Sequence, residues 1–154
     1  MSEGGYPLEA ARTVRAYAED AAGQSLADAL HTREKRRLDR NAAEASLDGH
    51  RTQEAERARL AGVPARQTAM AVQREAAYRT RQREREGVLQ GKLDRTRKAE
   101  RDADAAVTGA RRALGNAAAE RAVVEKHHER WAGKRKAAKE KAEENEREDR
   151  RTGG

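Results

Sequence analysis

The chain has 154 residues, of which 40% are Asp, Glu, Lys or Arg and 3% are aromatic, and its formal net charge is +7. Leu and Val together number sixteen and Ile is absent, so large side chains are too few to offset the ordering entropy of a compact core. This composition excludes a conventional globular enzyme, and no catalytic residue, cofactor or small-molecule substrate is expected.

Long helices are the structure that the composition favours. Ala, Glu, Lys, Leu and Arg make up 95 of the 154 residues, which is typical of helical rods and coiled coils. No Cys is present, so neither a disulfide nor a thiolate metal site is expected. No apolar run approaches the ~20 residues that span a bilayer, and the N-terminus does not resemble a signal peptide. A cytoplasmic location is therefore expected.

The first helix is predicted over residues 7–61, after a disordered segment of residues 1–6. Pro7 suits the first position of a helix, where its missing N–H costs nothing. The helix carries an irregular apolar stripe that slips register near Ser25 and includes Leu26, Leu30 and Leu38. A turn follows at residues 62–64, since Gly62 suits the left-handed position after a helix and Pro64 suits a restart.

The second helix is predicted over residues 65–148, with residues 149–154 disordered. Steps that alternate between four and three residues run through it for six heptads, which predicts a left-handed coiled-coil seam. The predicted seam residues of this helix include Leu89, Leu93, Val107 and Leu114. The whole series is Leu89, Leu93, Thr96, Glu100, Ala103, Val107, Ala110, Leu114, Ala117, Arg121, Val124, His128 and Trp131.

Folding the chain at its predicted turn gives an all-α, antiparallel two-helix coiled-coil hairpin with a long C-terminal helical overhang. This alignment puts Leu8 near Ala118 and Leu38 beside Leu89. Everything after about Ala119 then overhangs as a lone helix, and Trp131 has no intramolecular partner. Adjacent His127 and His128 lack metal-ligand spacing, so they are interpreted as solvated surface residues.

Segments along nearly the whole chain resemble the FliJ/YscO family, the coiled-coil stalk proteins of bacterial flagellar and type III secretion export. A single turn before the midpoint also fits that family. The matching segments are Tyr6-Pro7-Leu8-Glu9, Val14-Arg15, Glu19-Asp20-Ala21-Ala22, Leu26-Ala27-Asp28-Ala29-Leu30, and a tail from Val124-Glu125-Lys126 through Trp131 and Arg135 to Glu146-Arg147-Glu148-Asp149.

The resemblance implies a non-enzymatic stalk at the base of a membrane secretion apparatus. Its paired termini would engage a hexameric secretion ATPase, and its turn would reach an export gate protein, with export chaperones as further partners. The chain would be peripheral to the membrane through these partners. The expected gate- or chaperone-contact residues are Met70 and Tyr78. The expected ATPase-contact residues are Leu8, Arg12, Val14, Arg121, Val124 and Trp131.

Two alternatives remain open from the residues alone. Residues 65–101 hold eleven Lys or Arg against five Asp or Glu, and Arg79, Arg81, Arg83 and Arg85 fall at alternate positions. Such clusters attract nucleic acid through counterion release, which makes a ribosome- or nucleic-acid-binding coiled coil the second hypothesis. Platforms for base stacking are missing, so specific nucleic-acid recognition is not expected. A scaffold that self-associates through its overhang is the third hypothesis.

Overall fold

The computed structural model describes residues 4–62 and 66–154, and two helices account for almost all of them. Helix α1 spans Glu9–Ala61 and helix α2 spans Ala69–Thr152. The helices pack against each other as an antiparallel hairpin, and the described ranges contain no strand. The all-α two-helix hairpin predicted from the sequence is therefore confirmed.

The N-terminal boundary of α1 differs from the prediction. Pro7 and Leu8 form a turn, closed by the Glu9 amide donating to the Tyr6 carbonyl at 3.1 Å, and the helix begins two residues later than predicted. Residues 1–3 lie outside the described part of the chain. The prediction of disorder is wrong for residues 4–6, because Tyr6 is buried against α2.

The connection between the helices is longer than predicted. Gly62 has φ of 61°, the left-handed conformation expected of a glycine after a helix C-cap. Pro64, predicted to restart the chain, and residue 65 lie outside the described residues. The segment 66–68 is not helical, so α2 starts at Ala69 instead of residue 65. Thr68 fixes this start as an N-cap, because its hydroxyl accepts the Ala71 amide at 3.2 Å.

Helix α2 also ends later than predicted. Residues 149–152 are helical, so the prediction of a disordered segment from residue 149 is wrong for them. Local interactions explain the extension: Glu146 pairs with Arg150 one turn later, and the Thr152 hydroxyl donates to the Glu148 carbonyl at 3.0 Å. Arg150 and Arg151 also place positive charge at the negative end of the helix dipole.

The chain divides into two compact units, which we call the turn unit (residues 28–108) and the terminal unit (residues 4–27 with 109–154). In the turn unit, Ala43, Leu47 and Leu93 form a buried cluster, with Leu89 packed against it. Ala103 and Val107 of the same unit are also buried. Every residue of the predicted α2 series, from Leu89 to Trp131, is buried or half-buried. Leu26, Leu30 and Leu114 are half-buried as well.

Charged side chains complete the interface of the turn unit. Arg40 of α1 donates two hydrogen bonds to the Glu100 carboxylate of α2, at 2.9 and 3.2 Å. Glu44 extends the network, since it accepts from Arg40 at 3.1 Å and from Arg97 across the interface at 3.2 Å. Arg40 holds the pKa of Glu100 below its ordinary value, because the bidentate hydrogen bond favours the carboxylate.

The terminal unit repeats this arrangement. Arg12 Nε donates to Glu125 Oε1 at 2.9 Å, and Arg121 donates to Glu19 at 3.0 Å. Arg15 forms a further pair with Glu120. Each pair joins α1 to α2, and the partner number falls as the α1 number rises from Arg12 to Arg15. The helices of this unit are therefore held antiparallel by arginine–glutamate bridges set between small residues.

These pairs correct the predicted alignment of the two helices. In the terminal unit, Tyr6 lies beside Trp131, whereas the prediction placed Leu8 beside Ala118. The slide is about three helical turns at ~3.6 residues per turn. The longer connection accounts for part of it. The Arg12–Glu125 and Arg121–Glu19 pairs hold the two helices of this unit in the shifted position.

Leu38 is the seam residue most affected by this slide. The prediction placed it beside Leu89, but Leu89 packs against the Ala43, Leu47 and Leu93 cluster, and Leu38 is 56% exposed. The assignment of Leu38 to the seam is therefore wrong.

The C-terminal overhang is shorter than predicted. Arg135 donates to the Gly4 carbonyl, so α2 meets the N-terminal segment well beyond Ala119. From Gly133 to Gly154 every residue is exposed. Over residues 136–152 the ion pairs in the described structure are local ones within α2, such as Lys136 with Glu140. The free-standing part of the helix is thus polar on all sides.

Truncating a buried leucine of the turn unit should lower the stability of the hairpin strongly, whereas truncating an exposed leucine should lower it little. We expect Leu47→Ala to lower the free energy of unfolding by about 2–5 kcal/mol, because it opens a cavity against Leu93. Leu38→Ala removes the same atoms from an exposed position and should cost about 0.5 kcal/mol or less. Urea unfolding followed by circular dichroism measures both. Equal losses would contradict the assigned interface.

Reversing the Arg40–Glu100 pair should restore part of what a single change removes. Glu100→Arg should lower the urea midpoint because two guanidinium groups then face each other. Arg40→Glu with Glu100→Arg should recover part of the loss, since the new carboxylate at position 40 also lies one turn from Glu44. Since the pKa of Glu100 is lowered in the fold, its contribution is present above the unfolded value of 4.5 and is lost as the pH falls through the folded value. A double variant no more stable than either single variant would show that the pair does not set the alignment.

Candidate partner-binding surfaces

An aromatic cluster joins the N-terminal segment to α2 in the terminal unit. We call it the aromatic latch; it consists of Tyr6, His127, His128 and Trp131. The Tyr6 ring is 7% exposed and lies with its centroid 5.3 Å from Trp131 and 4.8 Å from His128, edge-on to the latter. Pro7 and the turn that follows direct the chain so that Tyr6 reaches α2 before α1 begins. The latch closes the open end of the hairpin.

Hydrogen bonds and charge fix the latch further. The Tyr6 hydroxyl lies 2.7 Å from His127 Nδ1. Burial raises the pKa of Tyr6, and the negative charges of Glu125 and Glu9 raise it further. On the opposite side of the cluster, the Arg135 guanidinium lies 5.2 Å from the Trp131 ring centroid, within the range of a cation–π contact.

The latch revises two interpretations made from the sequence. Trp131 was expected to have no intramolecular partner, yet it packs on Tyr6 and His128. His127 and His128 were interpreted as solvated surface residues: His127 is exposed, although it contacts Tyr6, whereas His128 is half-buried against the Tyr6 ring. The predicted alignment placed α1 about three helical turns away from its observed position along α2. It therefore left this stretch of α2 without a partner. The available signal was an aromatic residue directly before the proline that precedes α1.

The residues expected to contact an ATPase separate into two groups. Val124 and Trp131 are half-buried in the hairpin, while Arg12 and Arg121 form the interhelical pairs described above. Leu8 and Val14 are 43% and 62% exposed and form part of the outer surface. The first group therefore holds the two helices together, and the second group is available to a partner.

Further apolar side chains are exposed in the terminal unit. Tyr17 and Val123 are both 70% exposed, more than either Leu8 or Val14. Tyr17 lines an open groove of about 260 Å³ beside the Arg12–Glu125 pair. The sequence had offered Val123 as a partner or self-association contact, whereas Tyr17 was not named because it falls off the apolar stripe. Exposed apolar side chains next to a polar rim are typical of a partner-binding surface.

At the turn end, the two residues expected to contact a gate protein or chaperone behave differently. Met70 is 64% exposed. Tyr78 is half-buried against α1: its hydroxyl donates to Glu54 Oε1 at 2.7 Å, and the Arg57 guanidinium lies 3.5 Å over its ring. The hydrogen bond to Glu54 is the main cause of a raised pKa for Tyr78, with burial second. Tyr78 is thus an interhelical contact, and Met70 is the exposed residue.

The arginine-rich stretch of α2 presents charge that the hairpin does not neutralise. Arg79 pairs with Glu75 on its own helix. Arg81, Arg83 and Arg85 are exposed and form no ion pair in the part of the chain that the structure describes. These guanidinium groups are available to an anionic partner.

The described residues contain no group of three or more His, Cys, Asp or Glu that is able to hold a metal ion. Neither α1 nor α2, over the residues described, has a stretch long and apolar enough to cross a bilayer. Comparison with models of protein families, with curated proteins and with solved structures finds no match to this chain.

Alkaline pH should open the aromatic latch. Because the pKa of Tyr6 is raised above 10.0 in the fold, the docked state favours the protonated phenol; its contribution is complete below pH ~10 and is lost as the pH rises through the folded value. Trp131 is the only tryptophan, so its emission should shift to longer wavelength over that range as it becomes solvated. Tyr6→Phe should abolish the pH-dependent shift, whereas Tyr17→Phe, at an exposed site, should leave it unchanged.

Proposed function

We propose that this protein is a central-stalk component of a bacterial type III secretion or flagellar export apparatus, similar to the FliJ/YscO proteins. In this proposal it is not an enzyme. The terminal unit engages a hexameric secretion ATPase and the turn unit contacts an export gate protein, with export chaperones as further partners. Its place is cytoplasmic, at the base of the membrane apparatus.

One observation carries the proposal: a two-helix hairpin whose N-terminal segment is tied to α2 by the aromatic latch while neighbouring apolar side chains stay exposed. Leu8, Val14, Tyr17 and Val123 all lie in the terminal unit. Because these side chains do not pack within the hairpin, they are available to contact a partner. The resemblance of residues 6–30 and of the tail to the FliJ/YscO proteins supports the ATPase as that partner.

The turn unit supplies the second contact of the proposal. Leu60, Met70 and Val72 are 73%, 64% and 52% exposed beside the connection between the helices. Apolar side chains exposed together at one end of a hairpin favour a protein partner there. In the proposed role, a stalk fixed at its terminal unit presents these side chains to the gate.

A specific observation favours a second candidate function, that of a basic hairpin bound to nucleic acid or the ribosome. Arg81, Arg83 and Arg85 are exposed and unpaired in the described structure. Phosphate binding through them would fall steeply as salt rises, because counterions are released. A self-associating scaffold has less support, since the C-terminal extension that would mediate it is exposed and polar throughout.

The exposed apolar residues of the terminal unit provide the test of the stalk. Leu8→Ser with Val14→Ser should reduce recovery of the ATPase with the tagged protein from native cells by about fivefold or more, because the contact loses its apolar area. Leu38→Ser changes an equally exposed leucine of the turn unit and should leave recovery unchanged. Quantitative mass spectrometry of the purified complexes measures both.

Two outcomes would contradict the stalk. The first is recovery of RNA or ribosomal proteins that wash off in salt, with no ATPase in the sample. The second is an equal loss of ATPase from the Leu8, Val14 variant and from the Leu38 variant, which would indicate general loss of the fold.

A further inference from the structure

A second heptad series lies on the exposed face of α2 in the turn unit. We call it the outer seam; its steps alternate between four and three residues, as they do on the face that packs against α1. Met70 and Val88, at its two ends, are 64% and 67% exposed, and the members between them are exposed as well. Its members are Met70, Arg74, Ala77, Arg81, Glu84 and Val88.

The outer seam has the composition of the interface that the hairpin already uses. In that interface, small and apolar residues alternate with arginines, and each arginine meets a glutamate of the opposite helix, as in the pairs Arg40–Glu100 and Arg121–Glu19. On the outer seam, Arg74 and Arg81 have no acidic partner among the described residues. The outer seam therefore has the heptad spacing and the apolar side chains of that interface, but in the described structure no acidic side chains pair with its arginines.

We propose that the outer seam binds an amphipathic helix of a partner protein that carries acidic residues at heptad spacing. Its apolar side chains pack on Met70, Ala77 and Val88, and its carboxylates pair with Arg74 and Arg81. The series runs from Met70 to Val88, and the eighteen steps between them make the contact about 27 Å long at 1.5 Å per residue. The inference rests on the proposed function, because Met70 also belongs to the turn-end contact proposed there. It adds the chemistry of that partner, which is a helix with acidic residues at heptad spacing.

Charge and spacing favour a helix over a nucleic acid at this surface. A phosphate chain makes no use of the apolar side chains of Met70 and Val88, which are 64% and 67% exposed. Glu84 stands between Arg81 and Val88 and repels phosphate, whereas a partner helix accommodates it opposite a polar residue. Base stacking needs an exposed aromatic side chain. The tyrosine of α2 nearest to this face, Tyr78, is half-buried because it packs against α1.

A pair of synthetic peptides tests the proposal on the purified full-length protein. The first is a labelled helical peptide of about 25 residues, long enough for the five turns of the outer seam, with Leu and Ala on one face and Glu flanking it. The second replaces every Glu by Lys. Fluorescence anisotropy should detect binding of the acidic peptide and none of the basic peptide.

Charge reversal on the outer seam sharpens the test. Arg74→Glu with Arg81→Glu should lower the affinity for the acidic peptide by roughly tenfold or more, because both attractive pairs become repulsive. The same variant should bind the basic peptide. Arg79→Glu with Arg83→Glu makes the same change of charge on another flank of α2, beside Val72, and should alter affinity by less than about twofold. Circular dichroism confirms that each variant is folded.

Three results would overturn the proposal. They are the absence of acidic-peptide binding, an equal loss in the Arg74, Arg81 and the Arg79, Arg83 variants, and displacement of the peptide by a single-stranded oligonucleotide that binds more tightly. ATPase recovery depends on Leu8 and Val14 of the terminal unit, so a failure of the stalk assignment is seen separately from a failure here.

Discussion

Arginine–glutamate pairs between the two helices are the constraint on which the rest of the structure depends. The interface offers few large side chains, and alanine gives neighbouring positions almost equal packing energy, so apolar burial alone leaves the relative position of the helices poorly determined. A bidentate bridge such as Arg40–Glu100 is directional, and it is satisfied in one position. In each unit, these bridges determine which residues face the other helix, and the remaining residues lie at the surface.

The surfaces open to partners follow from that arrangement. In the terminal unit, the bridges of Arg12 and Arg121 bring Tyr6 to Trp131 and thereby leave Leu8 and Val14 outside. In the turn unit, Tyr78 is drawn to Glu54 on α1, which leaves Met70 as the exposed apolar residue. Positions that bind another molecule are thus selected indirectly, by the charges that hold the hairpin together.

Composition and heptad spacing were sufficient to predict two helices, a turn after Ala61 and the burial of the α2 series from Leu89 to Ala117. The position of one helix against the other was not predictable from the apolar pattern. Glu100 lies on the predicted seam of α2, but its partner Arg40 lies off the apolar stripe of α1, so the pattern does not show which α1 residue meets it. Leu38 was misassigned for that reason. The aromatic latch was missed because Tyr6 precedes the helix, where periodicity carries no information.

The arginine–glutamate interface also bears on how a chain of this kind changes over generations. A bridge works in either orientation, so an arginine and a glutamate are able to exchange helices without loss of the hairpin. Exposed positions between the bridges accept any good helix former at small cost. Descendants of one ancestral chain are therefore free to lose most identical residues. What the hairpin requires of each of them is the spacing of small residues and the matching of opposite charges.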